Sequence, residues 1–192
     1  MKILILDNYD SFTYNLVHLV EKIQSKKVHV HRNDKISLEA INDYDKIILS
    51  PGPGIPEEAG ILIPLIKEYG NKKSILGVCL GHQAIALAYG GELINLCNVY
   101  HGVATKIIQE DHVEKKNDLF KTMPKEFDAG RYHSWIVNKE KIPKELQITA
   151  LDENGYIMAL QHRSLDIQGV QFHPESVLTP DGEIIMRNWL SL

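Results

Sequence analysis

The sequence SILGVCLGHQAIALAYGG, residues 74–91, places a glycine-flanked cysteine between an aliphatic run and a run of helix-forming residues. The aliphatic run, residues 74–78, is typical of a buried parallel strand, and the alanine-rich run predicts a helix that the final glycines end. Gly77 and Gly81 stand two positions before and two positions after Cys79, which is the spacing of a nucleophile elbow. Small residues are needed there because strand and helix pass closely at such a turn. The stretch therefore predicts an α/β fold in which Cys79 projects from the carboxyl edge of a sheet.

Alternating strands and helices are predicted for the rest of the first half. Aliphatic runs predict further strands, at residues 2–6, 28–31 and 46–49. Helices are predicted between the strands, at residues 10–23 with Asp10 or Ser11 as the cap, from about residue 57, and at residues 82–89. We expect Pro64 to kink or break the second of these helices.

The second half changes to extended segments. Strands are predicted at residues 105–109, 147–151, 156–161 and 167–172, with a hairpin turn at residues 152–155 and a closing helix at residues 182–190. The order of elements predicts an open, mostly parallel twisted sheet with helices on both faces, plus a small antiparallel sheet, in a flavodoxin-like arrangement. No linker or repeat interrupts the chain, so we expect one domain over residues 1–192.

Composition narrows the class of protein. The 192 residues are 44% hydrophobic and 24% charged, which is ordinary for a folded domain that buries roughly 70% of its unfolded surface. A net charge of −4 with mixed signs argues against a nucleic-acid surface. No run approaches the roughly 20 apolar residues of a membrane span, and the amino terminus lacks a signal-peptide core. We expect a cytoplasmic protein in which Cys79 and Cys97 are free thiols.

The predicted chemistry of Cys79 follows from its place at the start of a helix. The helix dipole favours a thiolate there, and the backbone N–H of Leu80 is free to stabilise an oxyanion. A buried structural cysteine is the ordinary alternative, but it does not account for the two flanking glycines. A zinc site with His82 is disfavoured because the second pair of ligands is missing.

A thiol nucleophile needs a base, and the base needs an orienting group. The chain has nine histidines, and His173 differs from the others because it directly follows a predicted strand. Glu175 lies two residues further on, so the two side chains point the same way in an extended segment. A solvated histidine and glutamate are the alternative interpretation of this pair.

A third stretch, Pro-Gly-Pro-Gly at residues 51–54, follows the strand predicted at residues 46–49. Gly52 and Gly54 allow the backbone to approach a ligand closely, so the stretch can offer a second oxyanion donor and a substrate surface. Because open α/β sheets bind ligands at the carboxyl ends of their strands, we expect all three stretches to share one crevice.

Three blocks of sequence resemble the signature blocks of class I (triad-type) glutamine amidotransferases: SPGPG at residues 50–54, GVCLGHQ at 77–83 and GVQFHPE at 169–175. The stretches DNYDSFTYN at 7–15, RYHS at 131–134 and NWL at 188–190 are similar to the glutaminase subunits of anthranilate synthase and aminodeoxychorismate synthase. The resemblance covers essentially the whole chain. It departs from the family pattern at Val103, where a lysine is common.

The resemblance implies a Cys-His-Glu triad of Cys79, His173 and Glu175. It also implies substrate-binding and oxyanion positions, which are Gly52, Pro53, Gly54, Leu80, Gln83, Ser134 and Trp135. It implies no metal and no organic cofactor on this chain.

The resemblance further implies glutamine as substrate and a chorismate-binding synthase subunit as the partner that receives ammonia. We expect the acceptor to be anthranilate synthesis, in the tryptophan pathway. The equivalent subunit of aminodeoxychorismate synthase, in the folate pathway, and a subunit that serves both remain open. A stand-alone thiol γ-glutamyl hydrolase and a non-catalytic regulatory subunit are more distant alternatives.

Overall fold

The computed structural model describes residues 1–111, 113 and 119–191. The strands are, in chain order, β1 Ile3–Asp7, β2 His29–Arg32, β3 Lys46–Leu49, β4 Ser74–Val78, β5 Leu93–Asn95, β6 Val103–Gln109, β7 Glu126–Arg131, β8 Trp135–Val137, β9 Leu146–Asp152, β10 Ile157–His162 and β11 Ile167–Val170. The α-helices are α1 Thr13–Gln24, α2 Leu62–Tyr69, α3 Leu80–Ala88 and α4 Gly182–Leu190. Short 3₁₀ helices occupy Glu39–Asp43, Pro56–Glu58 and Lys139–Lys141.

Nine of these strands form one mixed sheet in the order β2-β1-β3-β4-β11-β10-β9-β6-β7. The first five are mutually parallel, and the other four continue the sheet in antiparallel pairing. β5 and β8 form a separate two-stranded antiparallel sheet. The predicted α/β class, with a parallel sheet and a small antiparallel sheet, is confirmed.

The helices cover both faces of the sheet because alternate strand residues point to opposite sides. Ile3 and Ile5 of β1 belong to one core cluster, together with buried residues of α1 and α4. Leu4 and Leu6 belong to a second cluster, together with buried residues of α2 and α3. Strands that are apolar on both faces are typical of a parallel sheet buried between two helix layers.

Two helix predictions are corrected. α1 begins at Thr13, and neither Asp10 nor Ser11 caps it with a side chain, because Asp10 instead accepts a hydrogen bond from Phe12 N at 2.7 Å within the preceding turn. The helix expected from residue 57 is split into a 3₁₀ turn and α2. Pro64 is the third residue of α2 and does not break it, because the first-turn N–H groups have no acceptor within a helix.

The parallel order brings the three predicted stretches together. β4 lies between β3 and β11, with Gly77 paired to Leu49 and Val78 paired to Val170. The segments that follow these three strands therefore leave the same edge of the sheet side by side. No helix in the described part of the chain is long and apolar enough to span a membrane.

Candidate active site

The turn between β4 and α3 has the predicted elbow geometry. Cys79 has φ 52° and ψ −99°, a backbone conformation that few residues other than glycine adopt. A Cβ on Gly77 would lie 2.5 Å from the carbonyl group of Gly81, and one on Gly81 would lie 2.4 Å from the carbonyl oxygen of Leu49. Both glycines are therefore required by close packing of the helix on the sheet. Cys79 is buried, at 5% exposure, whereas Cys97 is exposed, and both are free.

The segment after β11 carries the second part of the site. His173 Nδ1 lies 2.7 Å from Glu175 Oε1, and both side chains are almost completely buried. The backbone of His173 is held by two hydrogen bonds, from its N–H to Gly130 O at 2.9 Å and from Thr179 Oγ1 to its carbonyl at 2.6 Å. Within the described residues its Nε2 has no hydrogen-bond partner, which leaves that nitrogen available for proton transfer.

The charge of His173 depends on its two neighbours. Burial alone lowers the pKa of His173, but the adjoining Cys79 sulfur and the Glu175 carboxylate together raise this pKa well above its usual value. These two neighbours therefore favour the protonated form of His173, as a thiolate–imidazolium pair with Cys79 requires.

Two aromatic rings enclose the imidazole. The ring of Phe12 lies 5.3 Å and the ring of Tyr132 lies 4.9 Å from the ring of His173, both edge to face. Tyr132 is itself held by its hydroxyl, 3.1 Å from Ser176 Oγ. Packing of this kind restricts the orientation of the imidazole.

A pocket of about 260 Å³ opens beside Cys79. It is lined by eight of the predicted site residues, which are Gly52, Pro53, Gly54, Cys79, Leu80, Gln83, Ser134 and Trp135. His173 and Glu175 are not among its lining residues. The remaining lining residues are Val99, Tyr100, His101, Tyr132 and His133.

The glycine-containing loop packs directly on the elbow. A Cβ on Gly52 would lie 2.6 Å from the Leu80 side chain and 2.7 Å from the carbonyl oxygen of Asn8. Gly54 has φ +73°, which favours glycine. The loop after β3 and the first turn of α3 therefore meet beside Cys79, as an oxyanion site with two backbone donors requires.

Gln83 and Trp135 are joined across the pocket wall. Gln83 lies one turn along α3 from Cys79, and its Nε2 donates to the Trp135 carbonyl at 2.8 Å and to Gln171 Oε1 at 3.1 Å. Ser134 is held by a hydrogen bond from Leu96 N to its carbonyl at 2.7 Å.

Two further histidines near the site are neutral. Burial lowers the pKa of His82 to about 4, and burial followed by the charge of Arg131 lowers the pKa of His133 to about 3. No group of three or more side chains that could hold a metal ion occurs in the described ranges.

One wall of the pocket rests on a buried ion pair. Arg131 Nη1 lies 2.6 Å from Asp152 Oδ2, with side-chain exposures of 0% and 1%. The same guanidinium donates from Nε to His133 Nε2 at 3.1 Å and lies 3.6 Å from the centre of the Tyr100 ring.

This geometry agrees with comparisons to known proteins. A profile of the family described as glutamine amidotransferase class-I matches residues 4–191. The chain belongs to this family. Anthranilate synthase component 2 of Cyanophora paradoxa is 45% identical over 98% of each chain. Aminodeoxychorismate/anthranilate synthase component 2 of Bacillus subtilis is 43% identical over 98% of this chain and 95% of the relative.

Two Thermotoga maritima proteins extend the comparison. The bifunctional protein TrpGD is 41% identical over all of this chain, which spans 32% of that relative's length. A crystal structure of a glutamine amidotransferase has a TM-score of 0.83 at 14% identity, covering 100% of this chain and 96% of the other. The latter similarity confirms the predicted fold.

Sequence reasoning missed several residues of this amidotransferase pocket. Tyr132 and His133 lie in the RYHS stretch, and Tyr100 and His101 lie in a loop that pairs with it through Tyr100 N to His133 O at 3.0 Å. Gln171, which does not line the pocket but contacts Gln83 and Cys79, lies in the third signature block. The only indication in the sequence that these residues belong near the site is that they lie in or beside the stretches that resemble the family.

Replacing Glu175 by glutamine should move the pH profile of the amidotransferase. Removing the carboxylate lowers the pKa of His173, so the imidazolium form, which we expect to act as the general acid, is lost at a lower pH. We expect the descending limb of kcat/KM for glutamine to shift to lower pH and kcat to fall about tenfold or more. Glu183→Gln, at an exposed ion pair on α4, is the control. An unchanged descending limb would contradict the orienting role.

Replacing Gly52 by alanine should slow turnover without unfolding the protein. The added methyl group must displace either the Leu80 side chain or the backbone of Asn8, which separates the two backbone N–H groups that we expect to form the oxyanion site. We expect kcat to fall about 100-fold, as when one oxyanion donor is lost. Steady-state assays should find Glu57→Ala, at an exposed position in the 3₁₀ turn that follows this loop, close to wild type. A kcat for Gly52→Ala within twofold of wild type would remove this loop from the oxyanion site.

Proposed function

We propose that this chain is the glutaminase subunit of anthranilate synthase, which hydrolyses glutamine to glutamate and delivers ammonia to a subunit that aminates chorismate. The observation that carries the proposal is the buried His173–Glu175 pair set beside Cys79 at the pocket. The name anthranilate synthase component 2 on a relative of equal length supports the choice of acceptor. One cytoplasmic amidotransferase domain over residues 1–192 is part of the proposal.

The reaction proceeds in two steps. The Cys79 thiolate attacks the carboxamide carbon of glutamine, and the N–H groups of Gly52 and Leu80 stabilise the resulting oxyanion. The C–N bond then breaks, and the departing nitrogen takes the proton of His173 and leaves as ammonia. The product on the enzyme is a γ-glutamyl thioester.

Water then hydrolyses the thioester. His173, now neutral, accepts a proton from water as its oxygen attacks the thioester carbon, and Glu175 keeps the imidazole oriented. Collapse of the second tetrahedral species releases glutamate and restores the thiolate–imidazolium pair. All groups in this scheme are side chains and backbone amides of the chain, so the proposal includes no metal and no organic cofactor.

The pocket suits one small polar substrate. Residues from four segments line it, namely the loop after β3, the elbow with α3, the 99–101 loop and the 132–135 stretch. We assign glutamine binding to the residues of this lining that the family resemblance names, which are Pro53, Gly54, Gln83, Ser134 and Trp135.

A partner subunit is needed to use the ammonia. Ammonia is protonated in water at neutral pH and then no longer acts as a nucleophile, so the acceptor site must receive it directly. The mouth of the pocket includes Val99, which is 69% exposed, and His101. We place the chorismate-binding subunit over this mouth, where an exposed apolar side chain favours contact with another protein.

Aminodeoxychorismate synthesis is a second candidate. The Bacillus subtilis relative carries both activities in its name and is 43% identical to this chain. A single glutaminase can serve two acceptor subunits because the ammonia it releases is the same.

Reconstitution with separate chorismate-binding subunits of the two kinds tests the proposal. We expect a complex by sedimentation, and glutamine hydrolysis that rises when chorismate and the partner are present. Equal amounts of glutamate and anthranilate should form. Glutamine-dependent synthesis of aminodeoxychorismate alone would favour the second candidate.

Two outcomes would contradict the proposal. Full hydrolysis without a partner, unchanged on adding one, would indicate a stand-alone γ-glutamyl hydrolase. Complex formation with no turnover of glutamine would indicate a non-catalytic subunit.

A further inference from the structure

Gln171 is a completely buried amide beside the nucleophile. It follows β11 directly, has 0% exposure, and its backbone N–H donates to Met158 O at 2.8 Å. It stands two residues before His173, so both side chains leave this extended segment on the same side. A buried amide with both ends hydrogen-bonded has a defined orientation.

The orientation of this amide is set by a backbone carbonyl. The carbonyl of Trp135 can only accept, so the atom of Gln83 that lies 2.8 Å from it must be the amide nitrogen. That nitrogen is also 3.1 Å from Gln171, so the facing atom of Gln171 must be its oxygen. The Nε2 of Gln171 then faces Cys79 Sγ at 3.6 Å.

These hydrogen bonds, which link Gln83 to Gln171 and Gln171 to Cys79, affect both Gln83 and Cys79. Both N–H groups of Gln83 are used, and no described residue donates to its Oε1, so this oxygen remains as an acceptor on a residue that lines the pocket. At the other end, an N–H aimed at sulfur stabilises the thiolate more than the thiol, because hydrogen bonds to a charged acceptor are the stronger ones.

We propose that Gln171 is a positioning residue, which orients Gln83 toward the bound glutamine through its oxygen and supports the Cys79 thiolate through its nitrogen. The substrate part of this inference rests on the proposed function, whereas the thiolate part does not. Gln171 touches neither the pocket nor the substrate, and acts through the two residues that do.

The thiolate part is tested by the pH dependence of alkylation of Cys79 by iodoacetamide. Measurements use a Cys97→Ser background, which removes the exposed thiol. Gln171→Met keeps the length of the side chain and removes its donor, so the midpoint of alkylation should rise by about one pH unit. The titratable groups around the sulfur, His173 with Glu175 and the neutral His82 and His133, are unchanged in this variant.

The substrate part is tested by a double-mutant cycle on KM for glutamine in the reconstituted complex. Gln171→Met and Gln83→Met should each raise KM about tenfold, as expected for loss of one oriented hydrogen bond. The double variant should be no worse than Gln83→Met, because Gln171 acts on KM only through Gln83. Gln83→Met should raise the alkylation midpoint less than Gln171→Met does, because it removes the group that orients the Gln171 amide but leaves the N–H donor to the sulfur in place.

Gln168→Met is the matched control. Gln168 is buried in β11, three residues before Gln171, and this odd offset places the two side chains on opposite faces of the sheet. We expect neither the alkylation midpoint nor KM to change in this variant. Thermal unfolding monitors folding throughout, and Gln171→Asn, whose amide is too short to reach both partners, replaces Gln171→Met if that variant does not fold.

The inference is overturned if Gln171→Met keeps both the alkylation midpoint and KM of the parent. It is also overturned by a loss of kcat alone that matches the unfolded fraction, since that result indicates a structural role. Strictly additive effects on KM would show that Gln171 does not act through Gln83. If the parent protein shows no glutamine turnover, the proposed function fails, and the alkylation measurements still report on Gln171.

Discussion

Replacing Cys79 by serine should reduce glutamine-dependent synthesis in the reconstituted complex by about 1,000-fold or more, while synthesis from added ammonium salt continues. Serine has almost the same shape, so the elbow and the partner interface remain. Its hydroxyl is a far weaker nucleophile than the thiolate that His173 stabilises. Losses of this size are typical when the nucleophile of a catalytic triad is removed.

The chain contains its own control for this experiment. Cys97→Ser removes the exposed thiol and should leave both the glutamine-dependent and the ammonia-dependent rates unchanged. Glutamine-dependent synthesis that survives in Cys79→Ser but not in Cys97→Ser would reverse the assignment of the nucleophile. Loss of the ammonia-dependent rate in Cys79→Ser would show that the substitution disturbs assembly rather than chemistry.

Replacing Asp152 by alanine should lower the free energy of unfolding by about 3–5 kcal/mol, because it leaves the charge of Arg131 buried without an anionic partner. Asp152 also accepts hydrogen bonds from Asn154 N at 2.9 Å and Tyr156 N at 2.8 Å, which hold the β9–β10 turn. Asp152→Asn retains an oxygen for those two donors and removes the charge. Comparing Asp152→Asn with Asp152→Ala therefore distinguishes the contribution of the ion pair from that of the turn. We expect Asp152→Asn to show most of the loss of stability seen in Asp152→Ala.

Urea unfolding measures these changes in the free energy of unfolding. An unchanged slope of this free energy against urea concentration would indicate that two-state unfolding is retained. Lys22→Ala, which removes an exposed ion pair with Glu183, should change the free energy of unfolding far less than Asp152→Ala does. A loss below 1 kcal/mol for Asp152→Ala would contradict the account of Arg131 as a buried cation. We also expect a higher KM for glutamine in this variant, because Tyr100 packs on the guanidinium.

The parallel half of the fold was predictable because its signals are local. β3 and β4 have the bounds that their aliphatic runs predict, and the glycines around Cys79 report the close packing of α3 directly. β7, with the sequence EFDAGR, is not predicted because its charged residues are not typical of a strand. Its extended conformation depends on its pairing with β6. The prediction that Pro64 breaks its helix is wrong because the first residue of α2 depends on the turn before it, which places Pro64 in the first turn of the helix.

The site was predictable to the extent that it depends on strand order. Cys79, Gly52 and His173 each follow a parallel strand, so their proximity follows from the topology. The contacts that connect the site are not local. The Arg131–Asp152 pair joins β7 to β9, and the amide of Gln171 is oriented by Gln83 of α3 and the carbonyl of Trp135 in β8. Such pairings require the register of the second half of the sheet, which residue patterns do not specify.

The central claim is tested most directly by labelling the assembled complex with a glutamine analogue that carries an electrophilic ketone in place of the carboxamide. The exposed thiol is Cys97, whereas Cys79 is buried beside His173, whose pKa the Cys79 sulfur and the Glu175 carboxylate raise. We predict that peptide mass spectrometry finds one adduct, on Cys79, that glutamine protects this residue, and that ammonia-dependent synthesis survives labelling. An adduct on Cys97 alone, or no adduct at all, would contradict the account.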